Sequence, residues 1–279
     1  MPDIAIVGAG ELGGTVAHRL ACCNLAASIL LIDDTGQIAA GKALDIGQAA
    51  PIEGFTTELS GSNDLSSAAG AAIVVIADRA TGEWQGNEGV MLLGRLARLA
   101  SRAVILCAGA SQRELVERGV RELHIDRERL FGSAPEALAG GARALTALAV
   151  DGSPQDVALS VLGVPPSGIV IPWADSTIAG FALTKVIDEP TRRRLGRQVV
   201  AMWPPGPYAL AAAAAKVVEA ISGRTRAVVS CFVAPDDSAG RRMRTAALPV
   251  RLGSSGIQRV VLPSLSVADR VALDNAMLL

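Results

Sequence analysis

The stretch IAIVGAGELGG (4–14) constrains this chain more than any other. Its first four residues are apolar with no position left for a solvent face, which predicts a strand covered on both sides. Three glycines follow in G-x-G-x-x-G spacing (Gly8, Gly10, Gly13), and a helical pattern runs from about residue 11 to 22. A strand that turns directly into a helix must find a parallel neighbour, because the helix returns over the sheet. The chain supplies such neighbours. SILLIDD (28–34), AAIVVIAD (71–78) and RAVILCAG (102–109) repeat the apolar run, with helical stretches near 87–99 and 111–122. RLFGS (129–133) reads as a further short strand. This alternation predicts an α/β fold whose residues 1–135 form a Rossmann-type parallel sheet with helices on both faces.

Each glycine of the loop has a separate task. Gly8 permits the tight turn, Gly10 lets a pyrophosphate approach the backbone, and Gly13 lets helix and strand pack closely. The helix start, with Glu11 and Leu12 as its first residues, offers unpaired N–H groups and positive potential to phosphates. Glycine spacing alone is a weak signal. Asp33 strengthens it, since it closes the second strand twenty residues after Gly13 and is placed to accept hydrogen bonds from a ribose. A carboxylate there repels a 2′-phosphate, so NAD is expected rather than NADP. A glycine turn selected for packing alone is the bland alternative.

From about residue 143 the pattern changes. An Ala/Leu-rich helix (136–149) leads into DVALSVLG (156–163), a Pro-rich segment, and a helix-like stretch over 177–202. GPYALAAAAAKVVEAISG (206–223) is a strong helix with an alanine face. AVVSCFVA (227–234), LPVRLG (248–253) and IQRVVLP (257–263) read as strands with short connections, closed by a helix from about 266. Sequential strands of this kind predict an antiparallel α+β second domain over 136–279.

Half of the 279 residues are apolar but only 3% are aromatic, so the core is built from Ala, Val, Leu and Ile. A net charge of −1 gives no basic surface for nucleic acid,. The uncharged runs 157–174 and 198–215 are long enough to span a bilayer,. Each is broken by a Pro-Pro pair, so both are expected to be buried strand–loop segments, with no membrane partner. Cys22, Cys23, Cys107 and Cys231 show no CxxC spacing and read as reduced core thiols of a cytoplasmic protein,. The first strand begins near residue 3, so no secretory leader is expected.

No other motif carries chemistry. His18 lies off the Leu12/Val16/Leu20 stripe and His124 sits in the charged turn RELHIDRER, so both read as surface residues. No Cys/His/Asp cluster of metal-ligand spacing stands out, and no metal is expected. Arg192, Arg193 and Arg194, and the set Arg241, Arg242 and Arg244, read as exposed faces or anchors.

GAGELGG (8–14), LLIDD (30–34) and GKALDIGQAAPI (41–52) together resemble the L-lactate/malate dehydrogenase family, on its malate side. The similarity continues through FGS (131–133), the VLG…IPW frame (161–173), GPYALAAAAAKVVEAI (206–221) and LPVRLGSSGI (248–257). It implies a second domain of the lactate/malate dehydrogenase type, NAD as cofactor, and a homodimer or homotetramer, or a mixed oligomer with a related chain. Members of that family use a histidine to move the proton, an aspartate to orient it, and arginines to grip the substrate carboxylate. Carried over residue by residue, the histidine position is Pro165, within Gly163-Val164-Pro165-Pro166-Ser167. The aspartate position is Leu138 and the carboxylate-binding arginine is Gly141. The two arginines of the mobile loop fall on Gly82 and Glu88, and the N-P-V-D turn on Ala108-Gly109-Ala110-Ser111.

No catalytic residue is therefore assigned. The family's Ala-Gly pair after the third main strand is Asp78-Arg79 here, and these bulkier side chains are expected to crowd the nicotinamide half of the cleft. The chain is expected to bind NAD(H), or its ADP moiety, through Gly8, Gly10, Glu11, Leu12, Gly13 and Asp33, and to act as a sensor, scaffold or assembly partner. The alternative is an NAD-dependent oxidoreductase acting on an uncharged alcohol or carbonyl compound with a different proton donor. Asp175, Lys185 and Glu88 are the candidates for that donor. A structural protein with an empty nucleotide cleft is the third reading.

Overall fold

The computed structural model describes residues 2–236 and 243–278. The first half alternates in chain order as β1 (Ile4–Val7), α1 (Glu11–Cys22), β2 (Ser28–Ile32), α2 (Gly36–Glu53), β3 (Glu58–Ser62), β4 (Ile73–Ile76), α3 (Gly86–Leu99), β5 (Val104–Cys107), α4 (Arg113–Arg121) and β6 (Leu130–Gly132). The strands lie in the order β3-β2-β1-β4-β5-β6, all parallel. Strand order reverses between β1 and β4, and a doubly wound sheet opens its ligand crevice at that point.

Two elements escape the periodicity argument. Helix α2 buries only Ala39, Ala43 and Ile46 while leaving Leu44 and Ile52 exposed, so it carries no clear apolar stripe. Strand β3 reads ELSGS with no fully buried residue, as suits an edge strand. Gly61 is what lets α2 lie on it: a Cβ there would come within 2.3 Å of Ala40 N.

The second half continues with α5 (Ala134–Ala149), β7 (Val157–Ala158), β8 (Leu162–Val164), β9 (Gly168–Val170), β10 (Thr177–Ile178), β11 (Phe181–Ala182), α6 (Leu183–Val186), α7 (Glu189–Ala201), α8 (Pro207–Ile221), β12 (Val229–Val233), β13 (Ala246–Gly253), β14 (Gly256–Val260) and α9 (Val267–Met277). Strand β12 joins β6 antiparallel through Phe232 and Gly132. The sheet then runs on through β13, β8 and β9, with β14 also on β13, giving eleven strands among the described residues. One apolar cluster spans both halves, from Val16 and Leu20 on α1 through Leu106 to Val217 and Phe232.

The helix expected over 177–202 is corrected. Ala179 (φ 48°) and Gly180 (φ 83°) turn the chain in the left-handed region, which makes a β10–β11 hairpin. The long helix restarts only at Glu189, where the Asp188 side chain accepts from Thr191 N at 3.0 Å,. The run 198–215 is also corrected: it holds the end of α7, the Pro204-Pro205 turn and the start of α8 rather than a strand. No helix among the described residues is long and apolar enough to cross a membrane.

The core-thiol reading holds for Cys107 and Cys231, which are buried, but Cys22 is partly exposed and Cys23 exposed. Burial pushes the Cys107 thiol up to about 12. Burial and a hydrogen bond to Glu53 push that of Cys22 up to about 11. Only the thiolate attacks, so a thiol reagent at neutral pH is expected to modify Cys23 alone in the native protein. All four cysteines should react after denaturation. Two fast native thiols would show that Cys22 is not held by its neighbours.

Candidate nucleotide cleft

Strand β1 ends at Val7 and α1 begins at Glu11, so Gly8, Ala9 and Gly10 make the whole turn. Gly8 has φ +112°, and a Cβ there would lie 2.3 Å from Asp78 O. A Cβ at Gly13 would lie 2.0 Å from Gly8 O, which is how helix and strand come so close. The Glu11 side chain is exposed and Leu12 is buried. Both lie at the positive end of α1,.

Asp33 is 2% exposed. One carboxylate oxygen accepts from Ala9 N (2.8 Å) and Ala80 N (3.0 Å), the other from Thr35 N (3.0 Å). It thereby ties the glycine loop to the segment after β4. A carboxylate offers about four acceptor positions, so room remains on it for a ribose hydroxyl. Beside it opens a cavity of about 340 Å³ lined by Val7, Ile32, Asp34, Leu65 and Trp84 among others. The indole Nε1 of Trp84 is buried without a hydrogen-bond partner.

Asp78 adds a feature that no motif reports. Its Oδ1 accepts from Gly13 N at 2.9 Å and its Oδ2 from Leu12 N at 3.2 Å. These are first-turn N–H groups of α1, the donors that a helix start presents to phosphate. A Cβ at Gly10 would lie 2.3 Å from Asp78 Cγ. The carboxylate thus occupies the close-approach position itself, while Lys42 of α2 donates to Gly10 O on the other flank. Val7 and Ile76 are register partners on adjacent parallel strands, so the residues just after β4 necessarily lie beside the loop just after β1.

Arg79 turns away from this point. It holds Glu88 through two bonds of 2.6 and 2.9 Å, lies 3.7 Å from Asp34, and stacks 4.2 Å from the Trp84 ring centroid. The crowding expected at the nicotinamide half is therefore corrected. It falls on the phosphate turn and beside the adenosine-sized cavity. NAD fits this cleft on the adenosine side. Its pyrophosphate fits only where the Asp78 carboxylate has moved off α1.

The positions that the family resemblance assigns to the histidine, its aspartate and the carboxylate-binding arginine hold no titratable side chain. Leu138 is 1% exposed, clustered with Leu159, Val161, Ile171, Leu195 and Val199. At Gly141 the missing side chain is replaced by a neighbour, since a Cβ there would meet Met202 Cε at 2.3 Å. Pro165 is buried at the start of the β8–β9 turn, where Gly163 (φ +92°) lies so close to Gly168 that a Cβ would reach its carbonyl oxygen at 1.9 Å. Gly109 N donates to Gln112 Oε1 at 2.9 Å, closing the turn after β5.

The alternative proton donors do not line one cavity together. Glu88 is held by Arg79 beside the adenosine-sized cavity. Asp175 lines a separate cavity of about 930 Å³ together with Arg143 and Lys216. Lys185 is exposed on α6. Of the arginines, Arg193, Arg194 and Arg244 are exposed and Arg192 is partly buried, while Arg241 and Arg242 lie outside the described residues. His124 is exposed.

Two clusters were missed in the sequence. His18 is not simply solvated. Its Nε2 lies 2.7 Å from Glu53 Oε2 and 3.4 Å from Cys22 Sγ, so the reading that no cluster has metal-ligand spacing is corrected. The i, i+4 pair His18/Cys22 was the available signal. On α5, Glu136 is buried, with Oε1 accepting from Arg143 (2.6 Å) and Lys216 (2.8 Å) and Oε2 from Ser230 N (2.8 Å). Glu136, Gly140 and Arg143 share one helix face, whereas Leu138 is turned to another.

No family model matches the chain. It is 27% identical to the malate dehydrogenase of Chlorobium phaeobacteroides over 98% of its own length and 94% of that protein's. It is 28% identical to the L-lactate dehydrogenase of Allorhizobium ampelinum, over 97% and 94% respectively. Its fold superposes on malate dehydrogenase from Salinibacter ruber with a TM-score of 0.86 at 23% identity, covering 98% of this chain and 93% of the other. Over nearly its whole length the chain is similar in sequence to malate and lactate dehydrogenases, and it shares their fold.

Proposed function

We propose that this chain holds NAD(H), or its adenosine diphosphate part, without 2-hydroxy-acid dehydrogenation, and serves as a sensor, scaffold or assembly partner. One observation carries the reading: the positions that the resemblance assigns to the proton relay and the carboxylate clamp hold Leu138 in an apolar cluster, Gly141 beside Met202, and a buried Pro165. As hydride leaves an alcohol carbon, the proton on its oxygen must be accepted, and none of these side chains can accept it. Positioned acid–base catalysis contributes about 10²–10⁴ in rate. An apolar floor also makes an unpaired substrate carboxylate costly to bury. The nucleotide part rests on the glycine turn, on Asp33 and on the cavity of about 340 Å³ beside it.

An oxidoreductase acting on an uncharged alcohol would need Glu88, Asp175 or Lys185 at the reacting carbon. Glu88 and Asp175 line different cavities, and Lys185 lines neither of them. We also infer a cytoplasmic homodimer or homotetramer, or a mixed assembly with a related chain. Exposed Leu44 and Ile52 on α2 favour a covering partner,. The test measures NADH fluorescence and oxaloacetate or pyruvate reduction on one preparation. Binding without turnover above the enzyme-free blank is expected. Reduction at ordinary dehydrogenase rates, abolished by Asp33→Ala, overturns the non-catalytic reading, and no NADH binding overturns the nucleotide part.

A further inference from the structure

We propose that His18, Cys22 and Glu53 form a site for a zinc-type divalent transition-metal ion that clamps α1 to α2. The three donor atoms face one another: Nε2 to Oε2 is 2.7 Å, Sγ to Oε2 is 2.8 Å and Sγ to Nε2 is 3.4 Å. Tetrahedral zinc with ordinary bond lengths separates such ligand atoms by about 3.3–3.6 Å. The nitrogen–sulfur edge already has that length. The two edges to Glu53 need only a small outward rotation of a carboxylate whose side chain is 38% exposed.

The backbone holds these donors in place. His18 and Cys22 stand one turn apart on α1, so they share a face. That helix is fixed by buried Leu12, Val16 and Leu20. Glu53 is brought up to them by a second link, in which Thr56 N donates to Asn24 Oδ1 at 3.0 Å and joins the segment after α2 to the segment after α1.

The electrostatics also call for a cation. Cys22 ends α1 and Glu53 ends α2, and a helix C-terminus carries partial negative charge. A carboxylate is the wrong sign for that position, and the last turn of α2 has no basic residue. Arg19 serves the last turn of α1 but donates to neither Glu53 nor Cys22 in any described hydrogen bond. A dication among the three donors reverses the balance. One imidazole, one thiol and one carboxylate select zinc or cobalt over magnesium or calcium, which prefer oxygen alone. On binding, the Cys22 thiol loses its proton to solvent, a metal–sulfur bond forms, and Glu53 exchanges its hydrogen bonds for a metal–oxygen bond. With His18 43% exposed, the fourth position is open to water. The inference does not depend on what the nucleotide cleft holds.

The experiment titrates the chelator-treated full chain with Co²⁺, Zn²⁺ and Mg²⁺. One equivalent of Co²⁺ is expected to give tetrahedral visible bands and a thiolate-to-cobalt band in the near ultraviolet, both displaced by Zn²⁺. Zn²⁺, and not Mg²⁺, should raise the melting temperature. Cys22→Ser should abolish the thiolate band, His18→Gln and Glu53→Gln should weaken binding at least tenfold, and Cys23→Ser should change nothing. His18 is exposed enough that its variant keeps the fold, so it carries the test should Cys22→Ser fail to fold. Absence of the thiolate band from the parent protein overturns the proposal, as does a band that survives Cys22→Ser or disappears with Cys23→Ser.

Discussion

Replacing Asp78 with glycine is expected to raise the affinity for NAD and for ADP about 10- to 100-fold, and to leave the affinity for adenosine unchanged. Asp78 uses the N–H groups of Leu12 and Gly13 that a pyrophosphate would take, and it adds a negative charge facing the incoming one. Hydrogen bonds to a charged group are worth about 1.5–3 kcal/mol, and this difference sets the predicted range. Adenosine has no phosphate and is the internal control. Asp78→Asn removes the charge but keeps the bulk beside Gly10, so it should fall between the parent and the glycine variant. The ligand-free glycine variant should also melt slightly lower, since an acceptor at the start of α1 is lost. Calorimetric titration of the three proteins with NAD, ADP and adenosine decides the matter. Equal NAD affinity for the parent and the glycine variant would mean that the carboxylate swings aside at no cost, and that α1 is not blocked.

Asp78 also shows where sequence reasoning reaches its limit. Gly8, Gly10, Gly13 and Asp33 are legible because each is fixed by local geometry: a turn, a close approach, the end of a strand. The partner of Asp78 lies more than sixty residues away in sequence, set by the β1–β4 register, so its charge is visible but its target is not. Glu53 reaches His18 and Cys22 in the same non-local way. The i, i+4 spacing of the latter two was readable. The positions that the family resemblance assigns to catalysis were legible through that resemblance alone. What fills them was not, because Met202 enters the space beside Gly141 from the far end of α7. Helix α2 and strand β3 were invisible for a simpler reason: neither buries enough side chain to impose a period.

Helix α5 should owe much of its placement to the carboxylate it buries, that of Glu136. Glu136→Ala is expected to destabilise the protein by about 3 kcal/mol, the low end of the range for removing one partner of a buried ion pair. The low end applies because the side chain of Lys216 is 39% exposed and that of Arg143 18%, so both cations can recover some solvent. Ser230 N, on the buried strand β12, cannot. At about 2–4 °C per kcal/mol for a chain of this size, the melting temperature should fall by roughly 6–12 °C. Glu136→Gln keeps an acceptor for Ser230 but loses the charge, so it separates the two contributions in urea unfolding. A small loss in the glutamine variant, beside a large one in alanine, assigns the effect to the orphaned strand N–H. Nearly equal losses assign it to Arg143 and Lys216 facing each other without an anion, and adding Lys216→Met to Glu136→Ala should then restore part of the stability. A loss under about 1 kcal/mol in every variant would mean that α5, α8 and β12 are held together by apolar packing alone.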